Sequence, residues 1–217
     1  MFDFDKIIER KSDKCRKWDH QFVCSRFGEV PQDFIPLWIA DMDFTSPPAV
    51  IEGFQRIVEH GTFGYTYSFD EFYDAVIGFQ RDRHYVNVER DWITLSYGTV
   101  STLHYLVQAF CQTGDYVMMN TPVYDPFAMA TQRQGVQVLA NPLKIEDNRY
   151  HLDFTLIETQ LKQHKPKLWF LCSPHNPSGR IWTQGEIRQA SELCQRYGVI
   201  LVVDEVHAEH LLEGEFT

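Results

Sequence analysis

Between Pro47 and Gly61 the apolar residues fall at Val50, Ile51, Phe54, Ile57 and Val58, the three-and-four spacing of a single helical face. Prolines sit just inside the start of this segment and Ser46 stands where a cap belongs, so a helix is predicted there. A second helix is predicted from Ser68-Phe-Asp-Glu71 to about Tyr85, because a hydroxyl and a carboxylate three residues apart can satisfy each other's free amides. From Trp92 onward the pattern becomes strand then helix, repeated. Trp92–Leu95 precedes a helix from Thr99, Tyr116–Met119 a helix near Asp125, and Val136–Ala140 a helix from Asp153. Leu168–Cys172 then precedes a helix from the capping box Thr183-Gln-Gly-Glu186, and Val199–Val203 closes the series.

Leu168-Trp-Phe-Leu-Cys172 and Val199-Ile-Leu-Val-Val203 are apolar without alternation, as in strands covered on both faces. The fold class that follows is α/β, a mostly parallel sheet flanked by helices. In such sheets ligands bind beyond the carboxyl ends of the strands. Gly98, Tyr124, Asn176 and Asp204 each follow a predicted strand and so converge on that edge. Residues 1–45, irregular in polarity, read as an N-terminal arm and part of a smaller lobe, and residues 46–217 as a large domain. There is no internal repeat and no low-complexity linker.

The 217 residues, 44% apolar, suffice for one well-buried core and a small second lobe. The formal charge of −10 disfavours nucleic acid and anionic membrane surfaces as partners. The opening Met1-Phe-Asp-Phe-Asp-Lys6 lacks the apolar stretch of a signal peptide, and no apolar run is long enough to span a bilayer, so a cytoplasmic location is expected. Five cysteines, odd in number and without C-x-x-C spacing, read as reduced thiols, not as a disulfide frame or a zinc site.

The candidate chemistry lies in scattered short motifs. Tyr97-Gly98-Thr99-Val100-Ser101 places a glycine turn at a helix start, where free amides and the positive dipole end can hold a phosphate; taken alone, an ordinary cap has the same features. Asp204 ends a strand expected to be buried, so its carboxylate needs a cationic partner, which a protonated pyridine nitrogen or a nearby arginine can supply. His207 can hydrogen-bond a phenolic oxygen, or serve as an ordinary polar residue, and Asn176 offers an amide donor in a turn stiffened by Pro174 and Pro177, or plain turn chemistry. Tyr124 can stack on a flat heterocycle and Tyr65 can reach a phosphate, although packing explains either aromatic equally well. Glu205, His207, Glu209 and His210 form a rival set with the right atoms for a divalent metal, but they do not match H-E-x-x-H. Neither a Walker A loop nor a G-x-G-x-x-G turn is present.

Trp38-Ile-Ala-Asp-Met-Asp-Phe44, Tyr97-Gly-Thr-Val100, Thr121-Pro-Val-Tyr-Asp-Pro-Phe127, Ser173-Pro-His-Asn-Pro-Ser-Gly179 and Val203-Asp-Glu-Val-His207 occur in the order found in pyridoxal 5'-phosphate (PLP)-dependent aminotransferases of classes I and II. Within that superfamily of fold type I the chain most resembles the cystathionine β-lyase branch, the MalY/PatB type of carbon–sulfur lyase. The resemblance implies PLP as cofactor, with Gly98, Thr99 and Val100 at its phosphate, Tyr124 stacked on the ring, Asn176 and His207 at the phenolic oxygen and Asp204 at the ring nitrogen. It also implies a homodimer, Tyr65 being lent to the neighbouring subunit's phosphate, and it places Ala40 and Asp41 on the substrate's carboxylate side. The implied reaction is β-elimination from L-cystathionine or a cysteine conjugate, with transamination or a non-catalytic fragment as alternatives. The family's serine-x-x-lysine segment, with the Schiff-base lysine, and its two later arginines are not among the 217 residues, whose last lysine is Lys167. The large domain is therefore expected to be incomplete and inactive alone, with no catalytic residue identifiable.

Overall fold

Four parallel strands form the central sheet of the chain: β1 (Tyr116–Thr121), β2 (Gln137–Pro142), β5 (Leu168–Cys172) and β6 (Ile200–Asp204), in the spatial order β2-β1-β5-β6. The computed structural model describes residues 3–212. Successive side chains along each strand enter opposite layers, as the two-residue period requires. Val117 and Met119 of β1 and Leu168, Phe170 and Cys172 of β5 join one cluster; Met118, Trp169 and Leu171 join the other. The first cluster is closed by α4 (Thr99–Phe110) and α5 (Asp125–Gln132), through Leu103, Val107, Phe127 and Ala130. The second is closed by α6 (Phe154–His164) and α7 (Gln184–Tyr197), through Ile157, Leu161, Ala190 and Leu193. Trp169, Trp182, Phe127 and Phe170 are fully buried in these layers, each contributing on the order of 1.5–3 kcal/mol.

The expected α/β class is thus borne out, and with it the double cover over Leu168–Cys172, all five of whose residues are buried. Val199–Val203 differs: the strand is Ile200–Asp204, Ile200 is exposed and the rest is only half-buried. Among the described residues β6 pairs with β5 alone, so one of its sides lacks a neighbour. Trp92–Leu95 is not a strand either. Arg90–Trp92 forms a single 3-10 turn, and the extended residues after it have no ladder partner among the described residues. A hairpin absent from the hydrophobic pattern joins β3 (Lys144–Glu146) to β4 (Arg149–His151) through Asp147 and Asn148. Both turn residues have positive φ, as a two-residue turn that matches strand twist demands.

Two compact units divide the chain, Met1–Tyr67 and Ser68–Thr217. The first contains α1 (His20–Phe27), capped by Asp19, whose carboxylate accepts from the Phe22 amide at 2.8 Å, and α2 (Pro48–His60). The α2 helix is present as its periodicity predicts, but Ser46 does not cap it, and Val50, Ile51, Phe54, Ile57 and Val58 are all exposed. The second unit opens with α3 (Asp70–His84), which starts one residue later than the Ser68 box predicts. Its N-cap, Phe69, has no side-chain bond, and Asp70 and Glu71 favour the helix start through their charge. The Thr183 box does form: its hydroxyl accepts from the Glu186 amide, and the Glu186 carboxylate accepts from the Thr183 amide at 2.7 Å.

Candidate functional site

Register places Asp204 at the carboxyl edge of the sheet, and the loop carrying Asn176 leaves the neighbouring strand at the same edge; Gly98 follows no strand, because Trp92–Leu95 is not one. Cys172, the last residue of β5, lies opposite Asp204, the last of β6, and the Ser173 amide donates to the Asp204 carbonyl at 2.9 Å. The Asp204 carboxylate accepts from the Val206 amide at 3.0 Å, which orients it at the start of the following turn. No lysine, arginine or histidine among the described residues forms an ion pair with it. Burial pushes the Cys172 thiol up to about 11; the Asn176 backbone opposes this and the charge of Asp204 adds to it. Cys172, Asn176 and Asp204 therefore share one neighbourhood.

The loop Ser173–Arg180 is held tightly below that edge. The His175 amide donates to the Arg180 carbonyl and the Gly179 amide to the His175 carbonyl, both at 2.7 Å. The His175 imidazole, buried beside Trp182, shares a 2.7 Å hydrogen bond with Ser178 Oγ. Desolvation lowers its pKa, against a weaker contribution from the Asn120 backbone at the end of β1. Trp182 Nε1 donates to the Cys172 carbonyl at 2.8 Å, and Arg180 pairs with Glu186 while lying over the Trp182 ring. Beneath, Trp169 Nε1 donates to Asn120 Oδ1, Asn120 to Asn141, and Asn141 to Gln160, a buried polar chain that locks β5, β1 and β2 in register.

Gly98 caps α4 with φ 92° and ψ 158°, a conformation open essentially to glycine alone, so the chain enters the helix without a side chain at the turn. No side chain caps this helix start; the Gly98 carbonyl accepts from the Thr102 amide and hydroxyl, both at 3.1 Å. Gly98, Thr99 and Val100 are exposed there, which leaves the first-turn amides free to meet an anion. Tyr124 is the residue before α5, 46% exposed, and α5 packs against α4 in the cluster on that face of the sheet. His207 is half-buried in the turn after β6, its ring 6.3 Å from that of His210. The side chains of Tyr124 and Asn176 have no hydrogen-bond partner among the described residues. The structure thus brings Asn176 and Asp204 together and puts His207 three residues further on.

The rival metal set is not assembled. Glu209 faces Arg83 and His84, and no three histidine, cysteine or carboxylate side chains among the described residues converge on a point. Two surface concavities, of about 360 Å³ beside Glu158 and Arg188 and about 550 Å³ beside Tyr73 and Arg90, hold none of the candidate residues.

Three candidates lie in the first unit. Tyr65 is fully exposed, and Ala40 is exposed. Asp41 is engaged from within its own unit. Arg10 Nη1 and Nη2 donate to its two carboxylate oxygens at 3.2 and 3.0 Å, Cys15 Sγ lies 3.4 Å away, and Lys17 Nζ donates to its carbonyl at 2.7 Å. Hydrogen bonding to Arg10 holds the Asp41 carboxyl below its ordinary value, and Lys17 does the same for Asp43, which also accepts from Trp18 Nε1. Sequence reasoning missed this clasp because its donors lie some 25 to 30 positions upstream in a segment without periodicity. The charged set Arg10, Lys17, Asp41 and Asp43 was the one available signal.

Residues 32–216 match the family model described as aminotransferase class I and II. The chain is 41% identical over 211 residues to "Cystathionine beta-lyase PatB" of Bacillus subtilis (strain 168), covering 97% of this chain and 54% of that protein. It is 32% identical over 210 residues to "Protein MalY" of Escherichia coli (strain K12), covering 96% and 53%. It superposes on cystalysin from Treponema denticola, a crystal structure containing a pyridoxal 5'-phosphate cofactor, with a TM-score of 0.92 and 33% identity over 100% of this chain and 55% of that one. For the PLP-bound C-S lyase from Staphylococcus hominis the TM-score is 0.89, at 26% identity over 100% and 55%. The chain spans about half the length of the curated relatives it matches.

Proposed function

Because the chain belongs to the class I and II aminotransferase family, with the fold type I architecture of its PLP-bound neighbours, we propose that its sheet edge is a pyridoxal phosphate site and that the whole protein is a carbon–sulfur β-lyase. The substrate is L-cystathionine or a related cysteine conjugate, and the products are a thiol, pyruvate and ammonia. Relatives named cystathionine beta-lyase and a C-S lyase of matching fold support this choice over amino transfer. The observation that carries the cofactor reading is Asp204. Its carboxylate stands at the carboxyl edge beside Cys172 and Asn176, oriented by the Val206 amide and paired with no cation among the described residues.

The residues present fit the group. The free amides of Gly98, Thr99 and Val100, at the positive end of α4, would hold its phosphate. Asp204 would hold a proton on the ring nitrogen, Asn176 and His207 would donate to the phenolic oxygen, and Tyr124 would cover the ring face. Bound PLP supplies a sink for the electron pair left when the substrate's α-proton departs, which lets the β-thiolate leave. Ala40 and Asp41 serve the carboxylate side of the substrate. Tyr65 serves the phosphate of a second subunit, so the working form is a homodimer, a reading supported by the exposed apolar face of α2. The five free cysteines support a reducing, cytoplasmic setting. No helix among the described residues is long and apolar enough to cross a membrane.

Titration of the purified chain with PLP, followed by cofactor absorbance and circular dichroism, tests the site. Asp204→Asn is expected to weaken binding about tenfold, the loss of one charge-assisted hydrogen bond. Equal affinity in the variant removes the ring-nitrogen role. In the whole protein, free thiol from L-cystathionine is expected; amino exchange with a keto acid and no thiol would turn the assignment to an aminotransferase.

A further inference from the structure

The turn after β6 carries His207 and begins at Asp204, yet it is a short run of reverse turns, with the Ala208 amide on the Glu205 carbonyl and the His210 amide on the His207 carbonyl, both at 2.9 Å. Two such bonds do not fix a turn. Beyond these and the Val206 amide on the Asp204 carboxylate, a hold on this turn comes from 126 residues away in sequence. Arg83 donates to Glu209 Oε2 through Nε at 3.2 Å and Nη2 at 2.5 Å, and His84 Nε2 meets Glu209 Oε1 at 3.0 Å. Both carboxylate oxygens are thereby engaged, one by each residue. Arg83 and His84 are the last two residues of α3, where cations are favoured by the helix dipole, so the helix end presents them as a rigid pair. His84 is nearly buried, its side chain only 9% exposed, and its ring packs against that of Phe79 at 5.5 Å, which fixes its direction.

We propose that Arg83 and His84 are positioning residues: they clamp Glu209 and thereby set the turn that presents His207 and Asp204 to the ligand at the sheet edge. This inference rests on the PLP reading for the identity of that ligand, and on geometry alone for the clamp. Neither residue touches the candidate site itself. The pair acts on it only through Glu209, two residues beyond His207 and five beyond Asp204.

The test uses the 217-residue chain and three variants, Glu209→Ala, Arg83→Ala and Arg83→Lys. Residue-resolved amide exchange at Val206, Ala208 and His210 reports on the turn, and exchange in β1 and β5 reports on the core. Glu209→Ala is expected to speed exchange in the turn roughly fivefold with the core unchanged, Arg83→Ala to do so less because His84 remains, and Arg83→Lys to restore most of the protection. PLP titration of the same samples is expected to show a parallel loss of affinity and a changed circular dichroism of the cofactor band in Glu209→Ala. Unchanged turn exchange in Glu209→Ala overturns the clamp. Faster exchange with unchanged PLP affinity and dichroism leaves the clamp but overturns its positioning role. Failure of the unsubstituted chain to take up PLP counts against the cofactor reading, while the exchange data still decide the clamp.

Discussion

At Gly98 a single missing Cβ decides how α4 begins. The backbone there sits at φ 92° and ψ 158°, and a Cβ built at that position meets nothing within 4 Å. The barrier to substitution is therefore conformational, not steric. Gly98→Ala is expected to cost about 1–3 kcal/mol in urea unfolding, or to displace the helix start with a matching loss of phosphate affinity. Asp204 illustrates the same scale from the other side. The sequence identifies a carboxylate at a strand end, and chain order predicts Gly98, Tyr124 and Asn176 on the same edge. It does not reveal that Cys172 lies opposite Asp204, because that follows from the register of two strands, whereas the bond from the Val206 amide to the carboxylate is local, two residues on.

Helix starts show at the scale of elements when a local signal is obeyed. Thr183 and Ser68 carry the same box, yet only Thr183 makes it, with Arg180 adding two bonds to the Glu186 carboxylate from the loop before it. Thr183→Ala is therefore expected to lower stability by about 1 kcal/mol. Ser68→Ala, which breaks no cap, should leave the unfolding midpoint unchanged, and chemical denaturation of the two variants checks the contrast. The strands were legible wherever an unbroken apolar run had a covered place to go, as in Leu168–Cys172. Trp92–Leu95 failed because apolar content marks a strand only when another strand lies beside it, and none among the described residues does. The β3–β4 hairpin escaped notice because its strands are three residues each and its turn uses Asp147-Asn148, not the glycine that usually marks such a reversal.

Across the whole molecule, acid is expected to act on the two units at different pH. His175 is buried and its pKa lies below the ordinary 6.5, so below that value the unfolded chain binds more protons than the folded one. Stability from this group is complete above about 6.5 and is lost as pH falls toward the folded value. Asp41 and Asp43 are depressed from 3.8 by Arg10 and Lys17, so their contribution is complete above that value and is lost only below it. Urea midpoints measured from about pH 7 to about pH 5 should fall for the unsubstituted chain and lose that slope in His175→Gln; a slope that survives the substitution refutes the assignment.

The residue pattern by itself determined the parallel sheet, its helical cover and the two strand ends at which Asn176 and Asp204 lie. Those follow from period, capping and the order of strand and helix, all of which are local. Only the tertiary structure decided which groups are held and by what: Arg10 and Lys17 on the Asp41–Asp43 segment, Asn120 and Trp169 beneath the edge, Arg83 and His84 on Glu209. Each of these joins residues more than 20 positions apart through side chains whose partners are chosen by strand register and helix packing. A linear pattern carries no information about such distances until the chain has closed on itself.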